Sequence, residues 1–379
     1  MTPPKIQFPI RRNILLNPGP ATTTDTVKAA MVVPDICPRE KEFQDVMKNV
    51  SDDLVRIVHG ESEFECLMFA GSGTAVMDAC VASVVPQGKK IAVICNGAYG
   101  ERLVQIAQAY EIPVVPIRFD IRVADLAGIR SALKSDSNIA SLAMIHHETS
   151  TGILNPAKEV GAIAKEFGCS YILDAISTYA GIPLDVKDLK VDFLMSTSNK
   201  CIQGMAGIGF VIARRTELEK LRTQKPRAFY LDLYQQFEYQ KKTGQMRFTP
   251  PVQIIYALKQ AIQEYFEEGE GNRYERFTQN WKTLRQGLEK IGFQLLLDSK
   301  EESRVLLSVL EPKNELYSFQ AVHDALYEKG FTIYPGKIGS APMFRLANLG
   351  DLYPSDIDNF LHSLRLVLEE QGCLPLQYK

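Results

Sequence analysis

Short apolar runs rich in β-branched residues alternate with longer segments of helical pattern between about residues 64 and 215. The apolar runs expected to form buried strands are 91–95, 141–145, 171–173 and 193–195, and the helical patterns include 100–110 and 157–167. A weaker run at 114–117 follows Pro113 and is interrupted by Pro116, so it predicts at best an edge strand or a very short one. The alternation predicts an α/β fold with a mostly parallel central sheet flanked by helices. Ligands of such sheets bind beyond the carboxyl ends of the strands.

The C-terminal third has a different pattern. A charged helical stretch at 253–290 precedes short strands and helices, which we place at 293–297, 305–310, 319–329, 332–333 and 355–371. With 379 residues the chain exceeds the ~150 residues of a typical domain. We therefore predict a large domain at 16–260, a smaller α+β domain at 261–379, and an N-terminal segment at 1–15 that packs near the small domain.

Composition excludes several classes of function. Lys and Arg total 43 against 45 Asp and Glu, a net charge of −2, so no basic field favours nucleic-acid binding. No apolar run approaches the roughly 18 residues of a spanning helix, and the first residues lack a signal-peptide core, which predicts a soluble, cytoplasmic protein. The seven cysteines are scattered without a CxxC pair, and adjacent His146 and His147 point to opposite faces of a strand. We therefore expect neither a disulfide framework nor a metal site.

A glycine-containing loop at 70–75 precedes a helical run at 76–81. Its glycines allow close approach of the backbone, Ser72 and Thr74 add hydroxyl donors, and a helix N-terminus favours an anion. The loop is not a dinucleotide-binding fingerprint, because Val76 stands where the third glycine would be. The segment is thus either a phosphate-binding loop or an ordinary loop with a helix cap.

Two ionisable residues directly follow predicted buried strands. Asp174 follows the run 171–173, where a carboxylate is costly unless it meets a cation, such as a protonated pyridine nitrogen. The alternatives for Asp174 are a helix cap or a pair with an arginine. Lys200 follows the run 193–195, and a partly buried amine with a lowered pKa can form a Schiff base. The alternative for Lys200 is a solvated surface lysine.

A phosphate-binding loop, an acid for a ring nitrogen and an amine for an aldehyde match the three handles of pyridoxal phosphate. Tyr99, which follows the strand at 91–95, offers an aromatic face for the ring, although a lone tyrosine is more often a packed core residue. These features together predict a site for pyridoxal phosphate.

Seven motifs, in order along nearly the whole chain, resemble those of class V aminotransferases of fold type I. They are LNPGP at 16–20, GSGT at 71–74, NGAYG at 96–100, HETSTG at 147–152, DA at 174–175, SNKCIQG at 198–204 and FRLANLG at 344–350. The SNKCIQG motif is the most specific, and it resembles the branch of the family that acts on phosphonates. The resemblance implies transamination between 2-aminoethylphosphonate and pyruvate, with pyridoxal 5'-phosphate as cofactor.

The resemblance also implies roles for individual residues. Lys200 would form the Schiff base with the cofactor, Asp174 would pair with the ring nitrogen, and Tyr99 would stack on the ring. The other expected cofactor ligands are Ser72, Gly73 and Thr74 at the phosphate, Thr151 or Thr149 near the ring hydroxyl, and Thr249 reaching the cofactor of a neighbouring subunit, which implies a homodimer.

The expected substrate ligands are Arg345, Asn17, Gly19 and Arg39. A guanidinium suits a carboxylate or a phosphonate because its donors match two oxygens at once. The alternative for Arg345 is a structural salt bridge. The segment 33–40 departs from the family pattern, so Arg39 either helps to hold a phosphonate or pairs with Asp35 or Glu42.

Three other functions remain open at this point. A class V transaminase that uses alanine or serine with glyoxylate or pyruvate would share the cofactor residues. A desulfurase is disfavoured because no cysteine lies in an evident Gly-rich loop of the C-terminal half. A non-catalytic binding protein of the same fold is disfavoured by the presence of Lys200, Asp174 and Arg345.

Overall fold

The structure is a computed structural model that describes residues 12–338 and 341–378. The strands, numbered in chain order, are β1 Ile14–Leu15, β2 Phe64–Ala70, β3 Lys90–Cys95, β4 Val114–Arg118, β5 Ile139–Ile145, β6 His147–Glu148, β7 Ile153–Leu154, β8 Ser170–Asp174, β9 Phe193–Thr197, β10 Ile208–Arg214, β11 Leu306–Leu310, β12 Phe331–Thr332, β13 Tyr334–Ile338 and β14 Ala341–Ala347. The helices are α1 Asp25–Ala29, α2 Lys41–Arg56, α3 Gly73–Val84, α4 Ala98–Ala109, α5 Leu126–Ser135, α6 Ala157–Glu166, α7 Arg215–Lys220, α8 Leu233–Thr243, α9 Val252–Glu268, α10 Glu270–Ile291, α11 Phe319–Glu328 and α12 Pro354–Glu370.

The central sheet has seven strands in the order β2-β10-β9-β8-β5-β3-β4. Only β10 runs antiparallel to its neighbours, so the prediction of a mostly parallel sheet is confirmed. The weak run with Pro116 forms β4 at one edge, as predicted, where a missing N–H disturbs one ladder only. Helices α2 and α8 and strand β10 were not named by the sequence analysis.

Helices cover both faces of this sheet, and the side chains of each strand alternate between the two apolar cores. In β8, Tyr171 and Leu173 pack on the side of α2, α6 and α9, whereas Ile172 packs on the side of α3 and α4. A strand buried on both faces is expected to be apolar throughout, which is why the runs were recognisable in the sequence.

The C-terminal part contains a three-stranded antiparallel sheet, β11-β14-β13, packed against α10, α11 and α12. The expected strand at 293–297 is wrong, because this segment makes only an isolated bridge between Leu295 and Val309. Strand β1 pairs with β12 and so joins the start of the described chain to this part. Residues 1–11 of the predicted N-terminal segment lie outside the described residues.

The predicted domain boundary near residue 260 falls within α9, which is continuous and packs on the large sheet's core through Ile255 and Ile262. The division into domains stays a prediction. In the parts of the chain that the structure describes, no helix combines the length and the apolar character needed to cross a bilayer.

Candidate functional site

A cavity of about 430 Å³ opens where the parallel strands end. Its walls come from the residues that follow β2, β3, β5, β8 and β9, which is the edge where ligands of such sheets bind. Its volume is in the range of small-molecule sites. The lining residues are Gly71, Ser72, Gly73, Thr74, Met77, Tyr99, Arg102, Ile145, His147, Thr149, Asp174, Ile176, Ser177, Thr197, Asn199, Lys200, Ala206 and Gly207.

The glycine-containing loop turns into α3 at one end of this cavity. Ser72 is the residue before the helix, but its side chain makes no capping hydrogen bond, so its hydroxyl remains available to a ligand. The first N–H groups of a helix have no partner within the helix, and here they adjoin the cavity. The fit between strand and loop requires glycine in β10, since a Cβ on Gly209 would lie 2.9 Å from the Ser72 carbonyl oxygen. The loop thus presents unpaired donors and a helix N-terminus, the features that suit an anion.

Asp174 ends β8 inside the cavity and is only 4% exposed. Burial raises the pKa of its carboxyl to about 7, although Oδ1 accepts a hydrogen bond of 2.9 Å from the Ile176 N–H. It forms no salt bridge with any residue that the structure describes, so the alternative of an arginine pair is not realised there. A cationic ligand placed here would lower this pKa and be stabilised in return.

Lys200 lies beyond β9, half-buried in the same cavity. Its amine donates a hydrogen bond to the carbonyl oxygen of Pro18, and burial lowers its pKa to about 8. Gly19 lies against the lysine: a Cβ there would come 2.6 Å from Lys200 Cδ, and its φ of +131° favours glycine. The LNPGP motif therefore forms the surface against which the Lys200 side chain packs. The alternative of a solvated surface lysine is wrong.

Tyr99, in the first turn of α4, is held by a residue that the sequence analysis missed. Glu148 is fully buried and accepts hydrogen bonds from the N–H groups of Tyr99 and Gly100 at 3.1 and 3.2 Å. Ser150 Oγ accepts another from Ala98 N at 2.9 Å. A carboxylate at a helix N-terminus is stabilised by the dipole, so these bonds hold the first turn of α4, which carries Tyr99.

Arg102 lines the cavity and was also missed by the sequence analysis. Its Nη1 lies 3.3 Å from Thr74 Oγ1, and its Cζ lies 4.7 Å from the centroid of the Tyr99 ring. The available signal was its position three residues after Tyr99 in a helix, which places both side chains on one face.

The HETSTG motif contributes Thr149 and His147 to the cavity but not Thr151. The Thr151 hydroxyl instead donates to the Glu148 carbonyl oxygen at 3.2 Å. His147 lies between two hydroxyls, Ser177 Oγ at 3.0 Å from Nδ1 and Ser303 Oγ at 2.8 Å from Nε2. Burial lowers its pKa to about 3, so the ring is neutral. Its two hydrogen bonds connect segments that are far apart in the chain.

Arg345 lies on β14 and does not line the cavity. Its Nη1 donates to the Thr149 carbonyl oxygen and its Nη2 to the Pro335 carbonyl oxygen, both at 3.1 Å. Its Nε has no hydrogen-bond partner among the described residues, and none of their carboxylates forms a salt bridge with Arg345. The alternative of a structural salt bridge is therefore not realised in the described chain.

The other expected substrate ligands also lie outside the cavity lining. Asn17 is 7% exposed, and its Oδ1 has no hydrogen-bond partner among the residues described. Arg39 donates to Gln245 Oε1 at 2.7 Å and to the Met246 carbonyl oxygen at 2.9 Å, rather than pairing with an acid. Thr249 is exposed and away from the cavity of its own chain.

Comparisons with known proteins agree with this geometry. The family model of class-V aminotransferases matches residues 26–366. The chain is 41% identical over 348 residues to the 2-aminoethylphosphonate–pyruvate transaminase of Bacillus cytotoxicus, covering 91% of this chain and 94% of that protein. It is 39% identical over 355 residues to the protein of the same name from Vibrio vulnificus (strain CMCP6), covering 93% and 96%.

Among solved structures, the alanine–glyoxylate aminotransferase of Nostoc sp. superimposes with a TM-score of 0.88 at 27% identity, covering 97% of each chain. The pyridoxamine–pyruvate aminotransferase of Mesorhizobium loti gives a TM-score of 0.87 at 20% identity, covering 97% of this chain and 94% of that one, and this second likeness concerns the fold alone. The fold is that of the fold type I enzymes that use pyridoxal phosphate. The chain belongs to the class V aminotransferases.

Proposed function

We propose that this chain transfers the amino group of 2-aminoethylphosphonate to pyruvate, giving phosphonoacetaldehyde and L-alanine, with pyridoxal phosphate as cofactor. The observation that carries the proposal is one cavity that joins the Lys200 amine, the Asp174 carboxyl and the unpaired donors at the start of α3. The substrates follow from the relatives named 2-aminoethylphosphonate–pyruvate transaminase, which are 38–41% identical over at least nine-tenths of the chain.

The donor set of the cavity fits pyridoxal phosphate. Ser72, Gly73 and Thr74 supply the hydroxyl and N–H donors that a phosphate requires, and Asp174 is a buried carboxyl that forms no salt bridge among the described residues. Tyr99 would cover the ring, and Thr149 would meet its hydroxyl. When bound, pyridoxal phosphate supplies an aldehyde that bonds to amines and a ring that takes up electrons released at the neighbouring carbon.

Lys200 would bind the cofactor covalently and would also transfer the proton of the substrate. An amine with a pKa of about 8 is neutral in part near neutral pH, so it can act as a nucleophile and as a base. Its seat against Pro18 and Gly19 limits where the amine can move. We infer that Lys200 removes the proton from the carbon beside the donor's amino group and returns a proton in the second half-reaction.

Arg345 would bind the anionic group of each substrate. The guanidinium is anchored through the Thr149 and Pro335 carbonyl oxygens, and it forms no salt bridge with a carboxylate among the described residues. Thr149 lines the cavity and accepts a hydrogen bond from Arg345, so the guanidinium lies next to a residue of the cavity wall. Asn17 and Gly19 would contribute to the same side of the site through the segment that seats Lys200.

A homodimer would explain the position of Thr249. This residue is exposed, and next to it Phe248 stacks on Tyr230 with ring centroids 5.0 Å apart, beside Phe229, which is 76% exposed. An exposed aromatic cluster suits a contact between proteins. We infer that a second copy covers this cluster and that Thr249 reaches the phosphate held by that copy. Sedimentation of the purified protein tests the dimer, and a monomer that is fully active would reject it.

The visible absorbance of the purified holoprotein tests the function. A yellow band that bleaches on addition of 2-aminoethylphosphonate without pyruvate, and returns on addition of pyruvate, is the expected result. Alanine should bleach the band as the reverse donor, whereas serine and glycine serve as matched controls that leave it intact.

Two other results would change the conclusion. A yellow band that responds to serine or to alanine with glyoxylate, but not to 2-aminoethylphosphonate, would retain the aminotransferase and reject the phosphonate substrate. A protein without a band after reconstitution with pyridoxal phosphate would reject the enzymatic function altogether.

A further inference from the structure

Arg102 is a half-buried cation that has no acidic partner among the described residues. Other partly buried arginines have strong acceptors: Arg273 and Arg276 both pair with Glu268, and Arg285 pairs with Glu302. Those without an acid donate to backbone carbonyl oxygens, as in Arg227, Arg247 and Arg345, whereas the guanidinium of Arg102 has neither kind of partner among the described residues. Even the acid beside Arg102 in the chain, Glu101, is engaged by Arg118. Removing a cation from water is costly unless an anion is supplied. The arrangement therefore implies an anionic ligand beside Arg102.

The contacts of Arg102 place that ligand at one end of the cavity. Nη1 lies 3.3 Å from Thr74 Oγ1, in the first turn of α3, and Cζ lies 4.7 Å from the Tyr99 ring centroid. The hydroxyl and the aromatic face hold the guanidinium, and most of its donors have no partner in the part of the chain that the structure describes. Arg345, in contrast, contacts the Thr149 carbonyl oxygen of the HETSTG motif.

We propose that Arg102 is the cationic ligand of the cofactor phosphate. This assignment rests on the proposed function, because it requires pyridoxal phosphate in the cavity. A phosphate monoester carries nearly two negative charges at neutral pH. Ser72, Gly73 and Thr74 supply neutral donors only, and the Lys200 amine is committed to the cofactor's aldehyde. Among the residues lining the cavity, Arg102 is thus the cation left to balance the phosphate, and a guanidinium can bind two of its oxygens at once.

A comparison of two ligands isolates this contact. Apoprotein is titrated with pyridoxal phosphate and with pyridoxal, which differs only in lacking the phosphate, for the wild type, Arg102→Met and Arg102→Lys. Arg118→Met is the matched control, since Arg118 at the end of β4 is an exposed arginine that pairs with Glu101, the neighbour of Arg102 in α4. Circular dichroism of each apoprotein verifies that the variants are folded.

Arg102→Met should weaken binding of pyridoxal phosphate by about 10- to 150-fold, the range for hydrogen bonds to charged groups, and leave pyridoxal binding within about twofold. Arg102→Lys should recover part of the loss, and Arg118→Met should bind both ligands like the wild type. Inorganic phosphate should compete with pyridoxal phosphate for the wild type and lose that ability in Arg102→Met.

Each contrary outcome has a separate meaning. Equal weakening of both ligands would overturn the assignment and show that Arg102 acts through the Tyr99 ring. Unchanged binding of pyridoxal phosphate with a raised KM for 2-aminoethylphosphonate would assign Arg102 to the substrate instead. A wild-type apoprotein that binds no pyridoxal phosphate would reject the proposed function itself, and the Arg102 assignment with it.

Discussion

The two halves of the site are built in different ways. Most of the residues expected to hold the cofactor, among them Lys200, Asp174 and Tyr99, lie at or beyond the ends of parallel strands of one sheet and line one cavity; Thr151 and Thr249 do not. The residues expected to hold the substrate come from the stretch between β1 and α2 and from β14, and none lines that cavity: they are Asn17, Gly19, Arg39 and Arg345. The first half is positioned by the hydrogen bonds of a buried sheet, and the second by contacts between segments far apart in the chain.

This difference implies separable functions. A change in the cofactor half should alter the affinity for pyridoxal phosphate or the rate of the chemical step. A change in the substrate half should alter KM for the amino donor and leave the cofactor bound. A single variant that alters both the affinity for pyridoxal phosphate and KM for the amino donor would show that the two halves are coupled. The connection would be Thr149, which lines the cavity and whose carbonyl oxygen holds Arg345.

The largest effect is expected for Lys200→Ala. The variant loses the amine that attaches the cofactor and moves the proton, so turnover should fall by at least the 10²- to 10⁴-fold typical of a general base. Steady-state assay of the purified holoprotein measures the loss, with the exposed Lys187→Ala as control. Substantial residual turnover would contradict the central assignment of the cofactor half.

Asp174→Asn should leave the cofactor bound and slow the half-reaction by on the order of 10²-fold, as expected when one preorganised charge is removed. The asparagine retains the shape of the side chain but cannot offer a negative charge to the ring nitrogen. Single-turnover absorbance after mixing with 2-aminoethylphosphonate measures the rate. A near-normal rate would remove Asp174 from the mechanism.

These two residues were predictable from the sequence because each follows an apolar run that is buried on both faces of the sheet. The sheet brings such positions to one edge wherever the strands are parallel, whatever their distance in the chain. Helix α2 also carried a signal, since Phe43, Val46, Met47, Val50 and Leu54 recur at helical spacing, yet its many charges concealed it.

The remaining features depend on tertiary contacts that have no local pattern. Thr149 and Thr151 are two residues apart in one motif, and only the fold places the first in the cavity and turns the second toward the backbone. Glu148 reads as part of a family motif, but its role as a clamp on α4 requires α4 to begin beside it. Likewise, the partners of Arg39 are more than 200 residues away.

Arg345→Met tests the substrate half. It should raise KM for 2-aminoethylphosphonate by about 10- to 150-fold, the range for lost hydrogen bonds to a charged group, with unchanged affinity for pyridoxal phosphate. Arg39→Met is the matched comparison: its guanidinium is engaged by Gln245 and Met246, so within one chain it should change KM little. A large effect of Arg39→Met would show that this arginine serves a site in a second copy.

The pH dependence of reconstitution tests whether the Lys200 amine already has a lowered pKa in the apoprotein. The neutral amine is the nucleophile, and burial lowers the pKa of Lys200 to about 8. The rate of covalent attachment of pyridoxal phosphate should therefore rise about tenfold per pH unit below 8 and level off above it. A rise that continues to pH 10, as for an ordinary lysine, would contradict the burial of the amine.

The smallest effects should separate two threonines at the junction of the two halves. Thr149→Val removes a hydroxyl that lines the cavity, so it should weaken cofactor binding or slow the half-reaction by about 2- to 12-fold, the value of one hydrogen bond. Thr151→Val removes a hydroxyl that bonds to the Glu148 carbonyl oxygen, so it should lower the free energy of unfolding by about 1 kcal/mol and leave the kinetics within about twofold. Urea unfolding and single-turnover absorbance of both variants measure the two quantities.

The reverse result, with Thr151→Val impaired in the half-reaction and Thr149→Val impaired only in stability, would mean that the motif adopts another arrangement around the cofactor. The boundary between the two halves would then have to be drawn at Glu148 rather than at Thr149.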